Sequence, residues 1–284
     1  MSSRSSARET GLPPAFTHLG LPSFVDFVAD QAPELLPAPG AKQSATTPAH
    51  GTTILALRFA DGILMAGDRR ATAGNIIASS QMRKVYEADS QSAIGIAGTA
   101  GLAIELVRLF QLELEHFEKI EGSLLSLEGK ANRLASMIRG NLNMAVHGLG
   151  VMPVFAGWDD QRERGRIYSY DITGGRYEER DFHSVGSGSL YARGTLKGLW
   201  RPDMASEEAV ELAVRSLVDV SEEDSATAGP DPVRRIWPLI ALVTAQGYSE
   251  VADEQVEDVV TAVLRQRQER SDHHRQAHNG GGRR

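Results

Sequence analysis

The chain has 284 residues, with 30 Lys and Arg against 37 Asp and Glu, a net charge of −7 and no cysteine. This acidic balance is the opposite of the basic surface expected of a nucleic-acid-binding protein, and the absence of cysteine excludes disulfides, thiolate metal sites and a cysteine nucleophile. The longest mostly apolar run, residues 236–245, is about half of the roughly 20 residues that a membrane-spanning helix needs. We therefore expect a cytoplasmic protein that binds neither nucleic acid nor membrane.

The two ends of the chain differ in composition from the middle. Seven of the twelve prolines lie within residues 1–51, which are poor in large apolar side chains. Such a segment buries too little apolar surface to offset the entropy of ordering, so we expect it to be largely disordered. Residues 266–284 are rich in Arg, His and Gly, and we expect a flexible tail there. The compact part is predicted to span residues 52–265.

Within the compact part, apolar and β-branched runs alternate with segments of helical periodicity. Strands are predicted at 52–59, 63–71, 84–87, 92–96, 152–157, 166–170 and 233–244. Helices are predicted at 102–120, 131–146, 190–199, 207–220 and 253–265. The helix at 102–120 is expected to bury an apolar stripe of Leu102, Leu106, Leu109, Phe110 and Phe117. Because blocks of strands alternate with pairs of helices, two sheets layered with helices are expected.

Common hydrolase motifs do not occur: the sequence has no G-x-S-x-G elbow, no H-E-x-x-H zinc helix and no P-loop. Glycines 95, 98 and 101 follow a predicted strand without the dinucleotide-binding spacing, so they indicate a turn. Only His116, His147 and His183 lie in the compact part, which leaves few candidates for a histidine-dependent triad. No residue cluster indicates a metal or an organic cofactor.

A hydroxyl nucleophile at a chain terminus needs neither Cys nor His, because its own α-amino group serves as the base. That amine has an ordinary pKa of about 7.7–8.0, so a useful fraction is neutral near pH 7. The junction between Gly51, where the Pro-rich segment ends, and Thr52, where a strand begins, suits such a nucleophile.

Six short motifs extend this interpretation. They are Gly-Thr-Thr-Ile-Leu-Ala-Leu at 51–57, Met-Ala-Gly-Asp-Arg-Arg-Ala-Thr at 65–72, Arg-Lys-Val-Tyr at 83–86, Ile-Ala-Gly-Thr-Ala at 96–100, Val-Gly-Ser-Gly-Ser at 185–189 and Asp-Ser-Ala-Thr at 224–227. In this order they resemble the β-type subunits of bacterial (actinobacterial) 20S proteasomes, from Thr52 to about residue 265. The resemblance implies the α+β N-terminal nucleophile hydrolase fold, a four-layer αββα sandwich of two antiparallel sheets between helix layers.

The resemblance also implies roles for individual residues. Thr52 would be the nucleophile, exposed when the bond after Gly51 is cut autocatalytically, which makes residues 1–51 a propeptide. Asp68 and Lys84 would be the acid and the lysine beside it. The implied oxyanion donor is the Gly98 backbone N–H. The implied residues that orient the nucleophile and its amine are Ser187, Asp224 and Thr227.

The implied substrate pocket is lined by small or apolar residues, so cleavage after apolar residues is expected. These residues are Ala71, Met82, Ile96 and Ala100. Two positions depart from the family pattern, because Glu223 stands where relatives often have Arg and Ala228 stands where Gly is frequent. These departures bear on the geometry of the loop that carries Asp224.

The hairpin register poses a difficulty for this assignment. A two-residue turn at Asp61-Gly62, the dipeptide that favours tight turns, pairs Thr52 with Ala71 and Asp68 with Leu55. Asp68 would then point away from Thr52, so a bulge or a longer turn is expected.

The resemblance implies a threonine endopeptidase that degrades unfolded proteins inside stacked heptameric rings. Its partners would be other β subunits, α subunits and an ATPase ring. Two alternatives stay open. One is the simpler bacterial two-ring protease, whose subunits also begin with Thr-Thr but lack a long propeptide, and the other is a structural ring subunit that has lost catalysis.

Overall fold

A computed structural model describes residues 51–146 and 148–280, with the backbone alone described from residue 273 onward. Residues 1–50, which hold nearly all of the expected propeptide, lie outside the described residues, as do His147 and residues 281–284. No described helix is both long enough and apolar enough to cross a membrane.

The first sheet contains the residues that follow the Gly51–Thr52 junction. It has five antiparallel strands in the order β10-β1-β2-β11-β12. These are β1 (Thr53–Phe59), β2 (Gly62–Gly67), β10 (Phe182–Gly186), β11 (Leu239–Thr244) and β12 (Gly247–Glu250). Because side chains alternate along a strand, Leu55 and Leu57 face one side of this sheet and Ile54 and Ala56 the other. Both sides are buried, which explains the nearly continuous apolar run at the start of the compact part.

The second sheet also has five antiparallel strands, in the order β5-β6-β7-β8-β9. These are β5 (Val85–Asp89), β6 (Ser92–Gly98), β7 (Val151–Asp159), β8 (Arg164–Tyr170) and β9 (Arg176–Glu179). Its inner face, with Ala93, Val154 and Ile167, packs against Ile54 and Met65 of the first sheet. A separate two-stranded hairpin, β3 (Ala71–Ala73) and β4 (Ile76–Ser79), follows β2.

Helices cover the outer face of each sheet. They are α1 (Ala100–Glu121), α2 (Leu127–Gly140), α3 (Leu142–Val146), α4 (Ser189–Leu199), α5 (Ser206–Glu223) and α6 (Asp253–Gly280). Helices α1 and α2 pack on the second sheet through residues such as Phe110 and Leu134. Helices α4, α5 and α6 pack on the first sheet through residues such as Leu196, Leu217 and Val260. The expected four-layer αββα sandwich is therefore confirmed.

Several element predictions need correction. Five strands were not expected from the sequence, namely β3, β4, β9, β10 and β12. The strand expected at 233–244 begins only at Leu239. The helix expected at 131–146 is divided into α2 and α3. Helix α6 continues to Gly280, beyond the predicted end at 265, in a stretch rich in helix-forming Arg and Gln. In α1 the buried stripe is Ala103, Leu106, Val107, Phe110 and Leu114. Leu109 is 48% exposed, so the predicted stripe was wrong there.

The first hairpin turns one residue earlier than predicted. Phe59 pairs with Gly62, so Ala60 and Asp61 form the turn, and Ile54 pairs with Gly67. This shifts the register by two residues and brings Asp68 beside Thr53, whose carbonyl accepts the Asp68 N–H at 3.3 Å. The expected bulge or longer turn is therefore wrong: the turn has two residues, and its displacement by one position places Asp68 beside Thr53 rather than Thr52.

Candidate active site

Thr52 lies immediately before β1, at the edge where β1 pairs with β10, and is only 6% exposed. Its backbone N–H donates to Ser187 Oγ at 3.3 Å. Its hydroxyl donates to the carbonyl oxygen of Gly51 at 2.6 Å. The candidate nucleophile therefore contacts the carbonyl group of the peptide bond that was predicted to be cleaved.

Asp68 and Lys84 form a buried ion pair beside the first residue of β1. Lys84 Nζ lies 2.6 Å from Asp68 Oδ1, and the side chains are 1% and 0% exposed. Burial lowers the pKa of Lys84 below its ordinary value, although the negative charge of Asp68 opposes this shift. Asp68 Oδ1 also accepts the Thr53 N–H at 3.0 Å, so the pair is attached to the residue that follows Thr52.

The second oxygen of Asp68 connects the hairpin with the loop that follows α5. Asp68 Oδ2 accepts the backbone N–H groups of Arg70 at 2.9 Å and Ala228 at 3.0 Å. Ala228 acts here through its N–H, which alanine provides as well as glycine does. The other departure from the family pattern, Glu223, is exposed at the end of α5.

A chain of hydroxyl groups converges on Asp224. Asp224 Oδ2 accepts hydrogen bonds from Ser187 at 2.5 Å and from Thr227 at 2.6 Å. Because each hydroxyl has a single hydrogen, and Thr227 gives its hydrogen to the carboxylate, the contact of 2.7 Å between the Thr53 and Thr227 hydroxyls requires Thr53 to donate. Likewise, Ser187 gives its hydrogen to Asp224 and accepts the Thr52 N–H. These hydrogen bonds give each group along the chain a defined donor or acceptor role.

A small cavity of about 10 Å³ opens beside Thr52. It is lined by Gly51, Thr52, Ala71, Thr72, Met82, Ile96, Gly98, Ala100 and Ala103. All four residues predicted for the substrate pocket are among them, and the remaining side chains are small. The structure therefore brings an apolar cavity next to the candidate nucleophile.

Gly98 ends β6 at the rim of this cavity and has φ +112°, in the region that favours glycine. A Cβ at this position would lie 2.3 Å from the Gly150 carbonyl oxygen, so a side chain does not fit. This explains in local terms why a glycine ends the strand here.

A larger cavity, of about 80 Å³, lies elsewhere, between α1, α3 and β7. It is mostly apolar, Glu105 is the one titratable residue among its lining residues, and none of the predicted site residues borders it. The small cavity beside Thr52 is therefore the better candidate for chemistry.

Three contacts at the site were not predicted from the sequence. Thr53 donates its N–H to Asp68, and its hydroxyl contacts that of Thr227, which links the Asp68 and Asp224 clusters. Thr72 accepts the Gly51 N–H at 3.1 Å. The Arg70 guanidinium donates to the Ser225 carbonyl at 2.8 Å. Thr53 and Thr72 lie inside the quoted motifs, but their partners are 174 and 21 positions away. Only the folded topology shows these pairings.

Comparison with known proteins agrees with this architecture. The family described as "Proteasome subunit" matches residues 49–233. A protein named proteasome subunit beta from Streptomyces griseus subsp. griseus is 53% identical over 272 residues, which cover 94% of this chain and 97% of the relative. A protein of the same name from Frankia casuarinae is 52% identical over 258 residues, covering 90% of this chain and 94% of the relative. The chain therefore belongs to the proteasome subunit family, as a β-type subunit of the actinobacterial form.

Proposed function

We propose that this β-type subunit is a threonine endopeptidase that becomes active when it removes its own residues 1–51. Thr52 is the nucleophile, and the substrates are unfolded protein chains. The observation that carries the proposal is the position of the Thr52 hydroxyl, 2.6 Å from the Gly51 carbonyl oxygen. The buried Asp68–Lys84 pair binds the backbone N–H of the next residue, Thr53.

In the self-cleavage step, Thr52 Oγ attacks the Gly51 carbonyl carbon and loses its proton. The bond between that carbon and the Thr52 nitrogen then breaks, the nitrogen takes up a proton, and an ester joins Gly51 to the Thr52 side chain. Water hydrolyses this ester, releasing the Gly51 carboxylate and restoring the Thr52 hydroxyl. The product begins with a free Thr52 amine.

In the processed subunit the Thr52 amine is the general base. It accepts the hydroxyl proton as Oγ attacks a substrate carbonyl, and it returns the proton to the departing amine. Because the Thr52 nitrogen donates an N–H to Ser187, its lone pair stays available to accept the hydroxyl proton. The Lys84 cation disfavours protonation of the amine, while Asp68 holds Lys84 in place.

The oxyanion that forms in each attack needs a hydrogen-bond donor close to the nucleophile. The Gly98 backbone N–H takes this role, because Gly98 borders the same cavity as Thr52. The residue before the cleaved bond enters the cavity formed by Ala71, Met82, Ile96 and Ala100. Since these side chains are apolar or small, cleavage follows apolar residues.

Membership of the family implies assembly with other proteasome subunits. We propose heptameric β rings enclosed by α-subunit rings and served by an ATPase ring that unfolds substrates. Enclosure of the active sites allows a protease of broad specificity to work in the cytoplasm without degrading folded proteins. Neither a metal nor an organic cofactor takes part in the proposed steps.

Substitution of Thr52 tests the proposal. Coexpressed with an α-type subunit, Thr52→Ala should assemble into rings that keep residues 1–51 and hydrolyse no peptide. Thr52→Ser keeps a hydroxyl and should retain measurable processing. If rings of Thr52→Ala hydrolysed peptides, or if their chains began at residue 52, the proposed nucleophile would be wrong.

A further inference from the structure

The bond between Gly51 and Thr52 is held from both sides by hydroxyl groups. On one side, the Gly51 N–H donates to Thr72 Oγ1 at 3.1 Å, in a buried contact. On the other side, the Thr52 N–H donates to Ser187 Oγ at 3.3 Å. Ser187 belongs to the Asp224 cluster, which orients the Thr52 amine in the proposed function. The Thr72 hydroxyl has no role in the steps of that proposed function.

A side chain at position 51 would point at Ala226. A Cβ built on Gly51 would lie 1.9 Å from Ala226 Cβ and 2.5 Å from the Ala226 carbonyl oxygen. This direction leads to the loop after α5, and the nearest atoms are not those of Met82, Ile96 or Ala100. The end of the leader is thus held by contacts other than side-chain burial in the cavity.

The backbone around Thr72 is adapted to this contact. In the hairpin of β3 and β4, Ala71 pairs with Ser79 while Thr72 pairs with Ile77, so the register shifts between them. Irregularities of this kind redirect side chains in a strand. Thr72 is 8% exposed, and its hydroxyl is in hydrogen-bond contact with the last residue of the leader.

We propose that Thr72 is a positioning residue for self-cleavage. By accepting the Gly51 N–H, its hydroxyl fixes the Gly51 peptide unit so that the carbonyl group stays beside Thr52 Oγ. In this role Thr72 neither donates nor accepts a proton in the reaction. This inference rests on the proposed function, because it assumes that Thr52 attacks Gly51.

The test uses the full chain coexpressed with an α-type subunit, with the variants Thr72→Val, Thr72→Ala and Thr72→Ser. Assembled rings are isolated, and the fraction of chains that begin at Thr52 is followed over time by intact-mass spectrometry. Valine is nearly isosteric with threonine but lacks the hydroxyl, and alanine gives a second variant without hydroxyl if valine impairs assembly. The loss of one buried hydrogen bond should slow self-cleavage roughly tenfold.

Rescue by serine distinguishes positioning from a general packing role. Thr72→Ser keeps the hydroxyl but loses a methyl group, so its rings should process within about twofold of the unaltered rate. Self-cleavage at the unaltered rate in assembled Thr72→Val or Thr72→Ala rings would overturn the inference, as would a rate for Thr72→Ser as low as that for Thr72→Val. Thr52→Ala separates the two claims, because processing in that variant would refute the proposed nucleophile itself.

Discussion

The hydroxyl of Thr53 lies 2.7 Å from the hydroxyl of Thr227, a residue 174 positions further along the chain. Thr53 is fully buried, and its backbone N–H donates to Asp68 while its side chain reaches the Asp224 cluster. The residue next to the proposed nucleophile thus connects the two acidic groups of the site. This connection explains how a loop after α5 is held against the start of β1.

We predict that Thr53→Val lowers peptide hydrolysis by roughly tenfold, because the buried Thr227 hydroxyl loses its hydrogen-bond donor. Thr53→Ser should restore most of the activity, since it keeps the hydroxyl. Initial rates are measured per processed chain, so that slow processing is not mistaken for slow hydrolysis. Full activity in Thr53→Val would show that this link does not matter for catalysis.

The buried pair of Asp68 and Lys84 has a matched control in the same chain. Lys130 Nζ lies 2.6 Å from Asp89 Oδ2, and its side chain is 1% exposed, as is that of Lys84. Removing one partner of a buried pair leaves an uncompensated charge and costs about 3–5 kcal/mol. Lys84→Met and Lys130→Met should therefore both lower the thermal stability of the subunit.

Only Lys84→Met should also abolish self-processing and peptide hydrolysis, because its partner Asp68 binds the N–H of Thr53, the residue next to Thr52. Unfolding temperatures and N-terminal masses of both variants provide the comparison. Equal loss of processing in the two variants would mean that Lys84 acts through stability alone.

Gly51→Ala should slow self-cleavage strongly, because the added Cβ would overlap Ala226 and push the carbonyl group away from Thr52. Ala226→Gly should fail to rescue it, since the Ala226 carbonyl oxygen and Cα also lie within 2.6 Å of that Cβ. Processing is followed by gel mobility and mass in the single and double variants. Rescue by Ala226→Gly would contradict the backbone clash.

Met82 is a half-buried residue of the cavity, so its substitution should change the cleavage preference. Met82→Glu should lower kcat/KM for a peptide with Leu before the cleaved bond by roughly tenfold or more, and raise it for one with Arg. Val233→Glu, at a residue that is 94% exposed, is the control and should leave both values unchanged. An unaltered preference in Met82→Glu would place the specificity pocket elsewhere.

The residue pattern predicted two sheets layered with helices, because both sheets are buried on two faces, and the resemblance to the family supplied the four-layer order. Strands such as 53–59 and 92–98 are almost wholly apolar or small, and the helices have clear periodicity. The strand β9 was missed because it is an edge strand with a charged sequence, in which Glu178 pairs with Arg166 of β8. A half-exposed strand whose side chains form ion pairs has a mostly polar sequence, as a loop does.

The site was predictable only where its residues occur in motifs. Thr52, Asp68 and Lys84 were expected from motifs that resemble those of the family, although the register that places Asp68 beside Thr53 was not. That register depends on whether the turn uses Ala60-Asp61 or Asp61-Gly62. The two registers differ by two residues and keep the same side chains on each face, so the apolar pattern does not choose between them. The roles of Thr53 and Thr72 depend on tertiary contacts that no local pattern encodes.

The central claim is that Thr52 becomes the N-terminus of the active subunit. Intact-mass spectrometry with N-terminal sequencing, after coexpression with an α-type subunit and isolation of assembled rings, tests it most directly. We expect a mature chain that begins Thr52-Thr53-Ile54. A chain that still carries residues 1–51 in fully assembled rings would contradict it and would indicate a structural subunit without self-processing activity.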